Sequence, residues 1–367
     1  MSTAVLAFAD GTHFWGNAVG KKGTVVAEVV FNTAMTGYQE VLTDPSYAGQ
    51  MICFTAPHIG NVGINTADWE SSRVWAKALI TRCVTSLSSH WEATQTLPEW
   101  LEQEALVGIT DIDTRGLTQY LRDQGAQMGC VMSVNPTLRE AIALAQLSLP
   151  MQGQDLTTTV TRYVQITPLS SLPEKQINQP PHIIVYDFGV KQGILNALSH
   201  RNCAITLVPA MTTAQEVFAL KPDGIVFSNG PGDPAACLGI IQEIKTFVSA
   251  HIPLLGICLG HQLLALACGG QTLKMPFGHH GINHPIQSLV DQKVHLTTQN
   301  HTFAVDEPTL PPALMITHRS LFDGTIQGLR HRHAPVISVQ GHPEARPGPH
   351  DTLSIFDDFL DLIAKVT

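Results

Sequence analysis

The sequence predicts an α/β protein in two parts: a C-terminal half with a mostly parallel sheet flanked by helices, and a β-rich α+β N-terminal half. Three observations carry this. From residue 182 onward, short continuous apolar runs alternate with helix-period stretches, the pattern of parallel strands buried on both faces. Before residue 150 the apolar runs end on glycine and proline turns, and helical stretches are few. Between them, residues 151–180 lose periodicity and collect Thr, Ser, Gln and Pro, which marks a linker. At 367 residues the chain exceeds one ordinary core, so residues 1–150 and 181–367 are expected to fold as separate domains.

Composition narrows the class. Hydrophobic residues make up 44% of the chain and charged residues 14%, as in a well-buried globular protein. A net charge of -9 with no block of Lys or Arg argues against nucleic-acid and anionic-membrane partners. Small metabolites or another protein fit better. Seven cysteines without a repeated spacing suit a reducing compartment, and residues 1–10 lack the basic and apolar segments of a signal peptide, so a cytoplasmic location is expected. His261, Gln262 and four glycines break the apolar stretch 252–270, which is therefore not read as a membrane span.

Taken in order, residues 5–8, the Asp10-Gly11 turn and the apolar stretch after it read as a hairpin, with further strands at 27–32 and 51–55. Residues 45–49 read as loop and 57–63 as a glycine-rich turn. Helices are expected at 116–123, capped by Asp113 or Thr114, and at 138–147. Asp111 and Asp113 form an Asp-x-Asp pair, for which capping is the plainer reading and metal ligation the rival. In the second half, strands are expected at 182–186, 204–208, 224–228 and 253–258. Helices follow them at 191–200, 213–220, 238–250 and 261–267. After Gly270 come shorter strands at 294–298, 314–317, 325–329 and 336–339. The final stretch, 351–366, sets Leu353, Phe356, Leu360 and Ile363 on one helical stripe.

Chemistry concentrates at the carboxyl ends of the expected parallel strands, where ligands of such sheets sit. Gly256-Ile257-Cys258-Leu259-Gly260 reads as strand, sharp turn and helix, with the glycines admitting a backbone approach that a Cβ would block. The helix amides and dipole beside Cys258 favour a thiolate, the reactive form of cysteine. The rival reading is a buried structural cysteine. Asn229-Gly230-Pro231-Gly232-Asp233-Pro234 ends a neighbouring strand. It lacks the third glycine of a dinucleotide fingerprint, and Asp233 would repel phosphate, so its amides are read as stabilising a developing oxyanion. His342 and Glu344 lie two apart in extended chain and share a face, so the imidazole can meet the thiol while the carboxylate orients it. A solvated strand end is the bland alternative. His279, His280, His284, His331 and His333 have some metal-ligand character but not the spacing of a metal finger.

Gly-Ile-Cys258-Leu-Gly-His-Gln with the later Gly-His342-Pro-Glu344 and Asn229-Gly-Pro-Gly-Asp-Pro resembles the class I glutamine amidotransferases from about residue 181 to the end. Glu28-Val-Val-Phe-Asn-Thr, Thr36-Gly-Tyr-Gln-Glu, Thr43-Asp-Pro-Ser-Tyr and Pro57-His-Ile-Gly-Asn-Val-Gly are similar to the small, glutamine-hydrolysing chains of carbamoyl-phosphate synthetases. So are Asp111-Ile-Asp-Thr-Arg, Tyr186-Asp-Phe-Gly and Ser320-Leu-Phe-Asp-Gly-Thr.

The resemblance implies a glutaminase with Cys258 as nucleophile, His342 as general acid and base, and Glu344 behind it. It implies an oxyanion held by the amides of Gly230 and Leu259. Glutamine contacts would come from Ser46, Gly230, Gly232, Leu259, Gln262, Asn300, Thr302 and Phe303. No cofactor or metal is expected on this chain. A large synthetase chain carrying ATP and magnesium is the implied partner, docked largely through the first lobe, and L-glutamine the implied substrate. Thr302 stands where relatives generally have glycine, and Ile282 replaces a small residue. Were the backbone at 302 left-handed, threonine would be a poor occupant. A non-catalytic scaffold is disfavoured by the intact Cys258, His342 and Glu344, and a stand-alone cysteine hydrolase by the first lobe.

Overall fold

A computed structural model describes residues 3–162 and 179–366; residues 163–178, most of the expected linker, lie outside the described residues. The chain divides into two compact units, Met1–Gln154 with Met275–Ile282, and Asp155–Lys274 with Asn283–Thr367. This division differs from the sequence boundaries in two places. Residues 155–162 begin the second unit and include a short helix, Thr157–Val160. Residues 275–282 group with the first unit although they follow the helices of the second.

The first unit is built on a closed barrel. Its strands run in the order Thr3–Phe8, His13–Gly20, Val107–Thr110, Ala78–Ile80, Gln50–Phe54, Thr24–Asn32 and Gln127–Met132, which pairs back to the first. Alternation along Thr3–Phe8 explains the layering, because successive side chains leave a strand on opposite faces. Ala4, Leu6 and Phe8 pack with Val29, Met51, Ala78 and Ile109, while Val5 and Ala7 pack with Ala141 and Ala145 of the helix Leu138–Leu147. The helix Thr114–Gln124 begins where Asp113 accepts the amide of Gly116 at 3.0 Å, and Asp111 accepts the Asn17 side-chain amide at 2.9 Å. The Asp-x-Asp pair is thus engaged in capping and a side-chain bond. Sequence patterning missed the helix Leu97–Gln103, although its capping box of Thr96 and Glu99 is a readable start signal.

The second unit carries a nine-stranded sheet in the order Ala204–Pro209, His182–Asp187, Gly224–Phe227, Leu254–Ile257, Val336–Val339, Ile326–His331, Leu314–Ser320, Gln271–Ser288 and Val294–Asp306. The first five are mutually parallel, and pairing turns antiparallel beyond Val336–Val339. The four inner parallel strands are buried on both faces, whereas the edge strand Ala204–Pro209 is buried only at Val208. Ile184, Tyr186, Ile225, Phe227 and Leu254 meet residues of the helices Ala214–Ala219, Leu238–Ser249 and Leu259–Ala267. Ile183, Val185, Val226, Leu255, Ile257 and Val339 meet the helices Gln192–Ser199 and Ile355–Val366. The terminal helix starts four residues later than patterning suggests, and its buried residues are Phe356, Phe359, Leu362 and Ile363, so Leu353 precedes it. Residues 271–288, not expected as a strand, form one of 18 residues, and the expected 294–298 strand extends to Asp306. Among the described residues no helix is long and apolar enough to cross a membrane.

A close backbone approach lies at the start of the helix Leu259–Ala267. A Cβ at Gly260 would collide with the carbonyl of Phe227, while the Gly260 amide donates to the Ser228 carbonyl at 3.0 Å. Helix and strand end are therefore in backbone contact. Gly260→Ala is expected to cost about 3 kcal/mol, as overpacking a rigid site does, read as a lowered urea midpoint. An unchanged midpoint would contradict this packing.

Candidate active site

Parallel strands in register bring their carboxyl ends to one edge of the sheet. Ile257 pairs with Val339 and Phe227 with Gly256, so Cys258, the turn after Phe227 and the segment after Val339 converge. Cys258 occupies the turn between its strand and helix with φ 54° and ψ -105°, a backbone conformation costly for a residue with a side chain. It persists because both sides are pinned. The Cys258 amide donates to the Val339 carbonyl at 2.9 Å, and its carbonyl accepts the Gln262 amide at 3.2 Å. Sγ is buried, 3.4 Å from the Asn300 carbonyl, an acceptor for the thiol proton.

His342 is held at the same edge by its amide, which donates to the Thr298 carbonyl at 2.9 Å. Its ring is fully buried. Nδ1 lies 2.7 Å from Oε1 of Glu344, which leaves Nε2 for the sulfur of Cys258. The same carboxylate oxygen lies 3.0 Å from Nζ of Lys191, whose side chain is 2% exposed. Lys191 also donates to the carbonyls of Ala345 and Arg346 at 2.7 and 2.9 Å. Burial alone would strip the charge from each of these groups. For His342, burial is opposed and outweighed by its interactions with Glu344 and Cys258, and its pKa rises to about 10. For Glu344, burial is outweighed by Lys191 and His342, and its pKa falls to about 2.

The expected oxyanion donors also sit together. Leu259 is the first helical residue, so its amide has no acceptor within the helix. A Cβ at Gly230 would lie 2.8 Å from Cδ2 of Leu259, which places the two residues in contact. The Asn229 side chain fixes the turn that carries Gly230: Oδ1 accepts the Lys191 amide at 3.1 Å and Nδ2 donates to the Gly189 carbonyl at 2.9 Å. Gln262 donates from its amide nitrogen to the Phe303 carbonyl at 2.7 Å and to Gln340 at 3.0 Å.

Asn300, Thr302 and Phe303 lie on the strand Val294–Asp306, and Gly232 on the turn after Phe227. Thr302 is not among the residues of positive φ, so the left-handed backbone that would have penalised threonine does not occur. Ile282 lies within the strand Gln271–Ser288. Ser46 belongs to the first unit, buried in the turn Pro45–Tyr47 with its amide on Asp44 at 2.9 Å. Lys191 and the Asn229 side chain were not singled out from sequence; the signal available was a lysine and an amide at two strand ends. No group of three or more His, Cys, Asp and Glu side chains able to hold a metal occurs among the described residues.

These charges make stability depend on pH. His342 is raised from 6.5 to about 10, so its stabilising contribution is whole below pH 6.5 and is lost as pH climbs toward 10. Glu344 is lowered from 4.5 to about 2, so its contribution is whole above pH 4.5 and is lost on acidification toward 2. The melting-temperature gap between the wild type and His342→Asn should hold steady from pH 4.5 to 6.5 and narrow above it. A gap that widened with rising pH would contradict the charge assignment.

Comparison with known proteins extends over the same residues. The family described as carbamoyl-phosphate synthase small chain, CPSase domain, matches residues 6–131, and glutamine amidotransferase class-I matches residues 184–362. The carbamoyl phosphate synthase small chain of Acinetobacter baylyi is 52% identical, covering 99% of this chain and 99% of its own length. That of Pseudomonas aeruginosa is 51% identical over 99% of this chain and 98% of its own, and that of Photorhabdus laumondii 50% over 100% and 97%. With likeness at this level running unbroken from one end to the other, the chain belongs to the carbamoyl-phosphate synthase small chain family and carries a class I glutamine amidotransferase domain.

Proposed function

We propose that the second unit hydrolyses glutamine to glutamate and ammonia through a cysteinyl thioester, as the amidotransferase subunit of a carbamoyl-phosphate synthase. The observation that carries this reading is the buried row of Lys191, Glu344, His342 and Cys258 beside the amides of Gly230 and Leu259. In this reaction the Cys258 thiolate attacks the side-chain amide carbon of glutamine, and the carbonyl electron pair moves onto oxygen. The amides of Gly230 and Leu259 receive that charge; loss of one such donor typically costs about a hundredfold to a thousandfold in rate. Nε2 of His342 then gives its proton to the departing nitrogen, the C–N bond breaks, and ammonia leaves behind a thioester. Water loses a proton to His342, attacks the thioester and expels the thiolate, releasing glutamate. Glu344 stays ionised throughout and steadies the imidazolium. Gly232, Gln262, Asn300, Thr302 and Phe303 are the proposed contacts to glutamine in this unit.

Ammonia near neutral pH is mostly protonated and lost to water, so its release is useful only beside a consumer. The sequence contains no P-loop. A large ATP- and magnesium-dependent chain is therefore the proposed partner, taking the ammonia for carbamoyl phosphate that feeds arginine and pyrimidine synthesis. The test is Cys258→Ser in the full chain reconstituted with a large chain. Glutamine-dependent carbamoyl phosphate synthesis should fall by about a thousandfold or more, while synthesis from added ammonia continues. Loss of both rates, or of neither, would reject the assignment.

A further inference from the structure

The turn that carries Gly230 is held from behind and from the side. Behind it stands the turn after His182–Asp187: a Cβ at Gly230 would collide with the Phe188 carbonyl, and the Phe188 amide donates to Ser228 Oγ at 3.1 Å. That turn is itself wound around Asp187, a 1% exposed carboxylate whose Oδ1 accepts the amides of Gly189 and Val190 at 3.0 and 2.8 Å. Its other oxygen, Oδ2, is taken by Arg162, through Nε at 2.8 Å and the backbone amide at 3.1 Å. At the near end of the same segment, Asp155 forms an antiparallel bridge with Gly232, and its carboxylate accepts the Thr157 amide at 2.9 Å. Thr157, Val160 and Thr161 between them are buried, and Thr161 accepts the Ala210 amide at 3.0 Å. Residues 155–162 thus reach the oxyanion turn directly at Gly232 and indirectly through Asp187.

We infer that residues 155–162 act as a clasp that sets the position of the Gly230 amide, and that Arg162 is a positioning residue for glutamine hydrolysis. The inference deepens the proposed reaction and rests on Gly230 being an oxyanion donor. Arg162 touches no reacting atom. It neutralises the one carboxylate around which the turn backing Gly230 is wound, and a buried carboxylate deprived of its cation relaxes its other hydrogen bonds. The consequence falls on the step in which charge develops on the carbonyl oxygen. The nucleophile and its base are spared, because the backbones of Cys258 and His342 are pinned through Val339 and Thr298, outside the Asp187 turn.

Two rates separate these effects. Glutamine turnover needs the oxyanion donors, whereas alkylation of Cys258 by iodoacetamide is a displacement at carbon that forms no oxyanion and reports only on the thiolate. The Arg162 side chain is 45% exposed, so its replacement creates no cavity in the core. In the full-length chain, Arg162→Gln is expected to lower kcat for glutamate release about tenfold, with KM and the alkylation rate within about twofold of wild type. Arg162→Lys, which keeps a cation beside Asp187, should recover most of the loss. Unchanged turnover, alkylation that falls in step with turnover, or a lysine variant no better than glutamine would each overturn the inference. A Cys258→Ser chain that still released glutamate would instead overturn the thiol mechanism itself, a result independent of the Arg162 series.

Discussion

The site depends on one buried carboxylate. Glu344 lies where ionisation would be prohibitive without company, and its Oε1 is shared by Lys191 at 3.0 Å and His342 at 2.7 Å. That company is what allows an imidazolium to exist out of water, and the imidazolium in turn offers its second nitrogen to the sulfur of Cys258. Each member is charged because its neighbours are. Removing any one strands the others, which explains why a lysine with no part in bond making is buried as deeply as the groups that do the chemistry.

The α/β architecture supplies the positions. Four parallel strand ends deliver, in spatial order, the Asp187 turn, the Gly230 turn, Cys258 and the segment leading to His342. Segments far apart in sequence become neighbours at one edge because the strands between them are short, apolar and in register. Contact between backbones then tightens the assembly. Gly260 lies on the Phe227 carbonyl and Gly230 on that of Phe188, so each turn is braced by the preceding strand end. Strain at Cys258, with its positive φ, is tolerated only inside such a frame.

What could be read from the sequence follows from how local each feature is. Cys258 was legible because its glycines lie within two residues. His342 and Glu344 do meet, but not as neighbours on one face of extended chain: the strand ends at Val339, and a turn closed by the Ala345 amide on the His342 carbonyl at 3.1 Å brings the carboxylate to Nδ1. Lys191 was not legible, since its value exists only once the fold brings it to Glu344. Residues 271–288 were missed as a strand because Pro276, Gly278, Gly281 and Pro285 punctuate them, and such residues ordinarily end strands. Barrel closure in the first unit was equally hidden, because parallel pairings such as Met51 with Ala78 join segments by long crossovers rather than hairpins. Thr302, which the resemblance puts in the place of a glycine, lies on a strand without a left-handed backbone, so the conformational objection to threonine does not apply.

The charge state of His342 is the most direct measurement of this arrangement. Nitrogen-15 chemical shifts of the labelled imidazole, assigned by comparison with His342→Asn, report whether one or both ring nitrogens carry a proton. Both should be protonated at about pH 8, with the ring losing its proton only as pH nears about 10. A neutral ring at about pH 7 would contradict the buried row of charges and the chemistry derived from it.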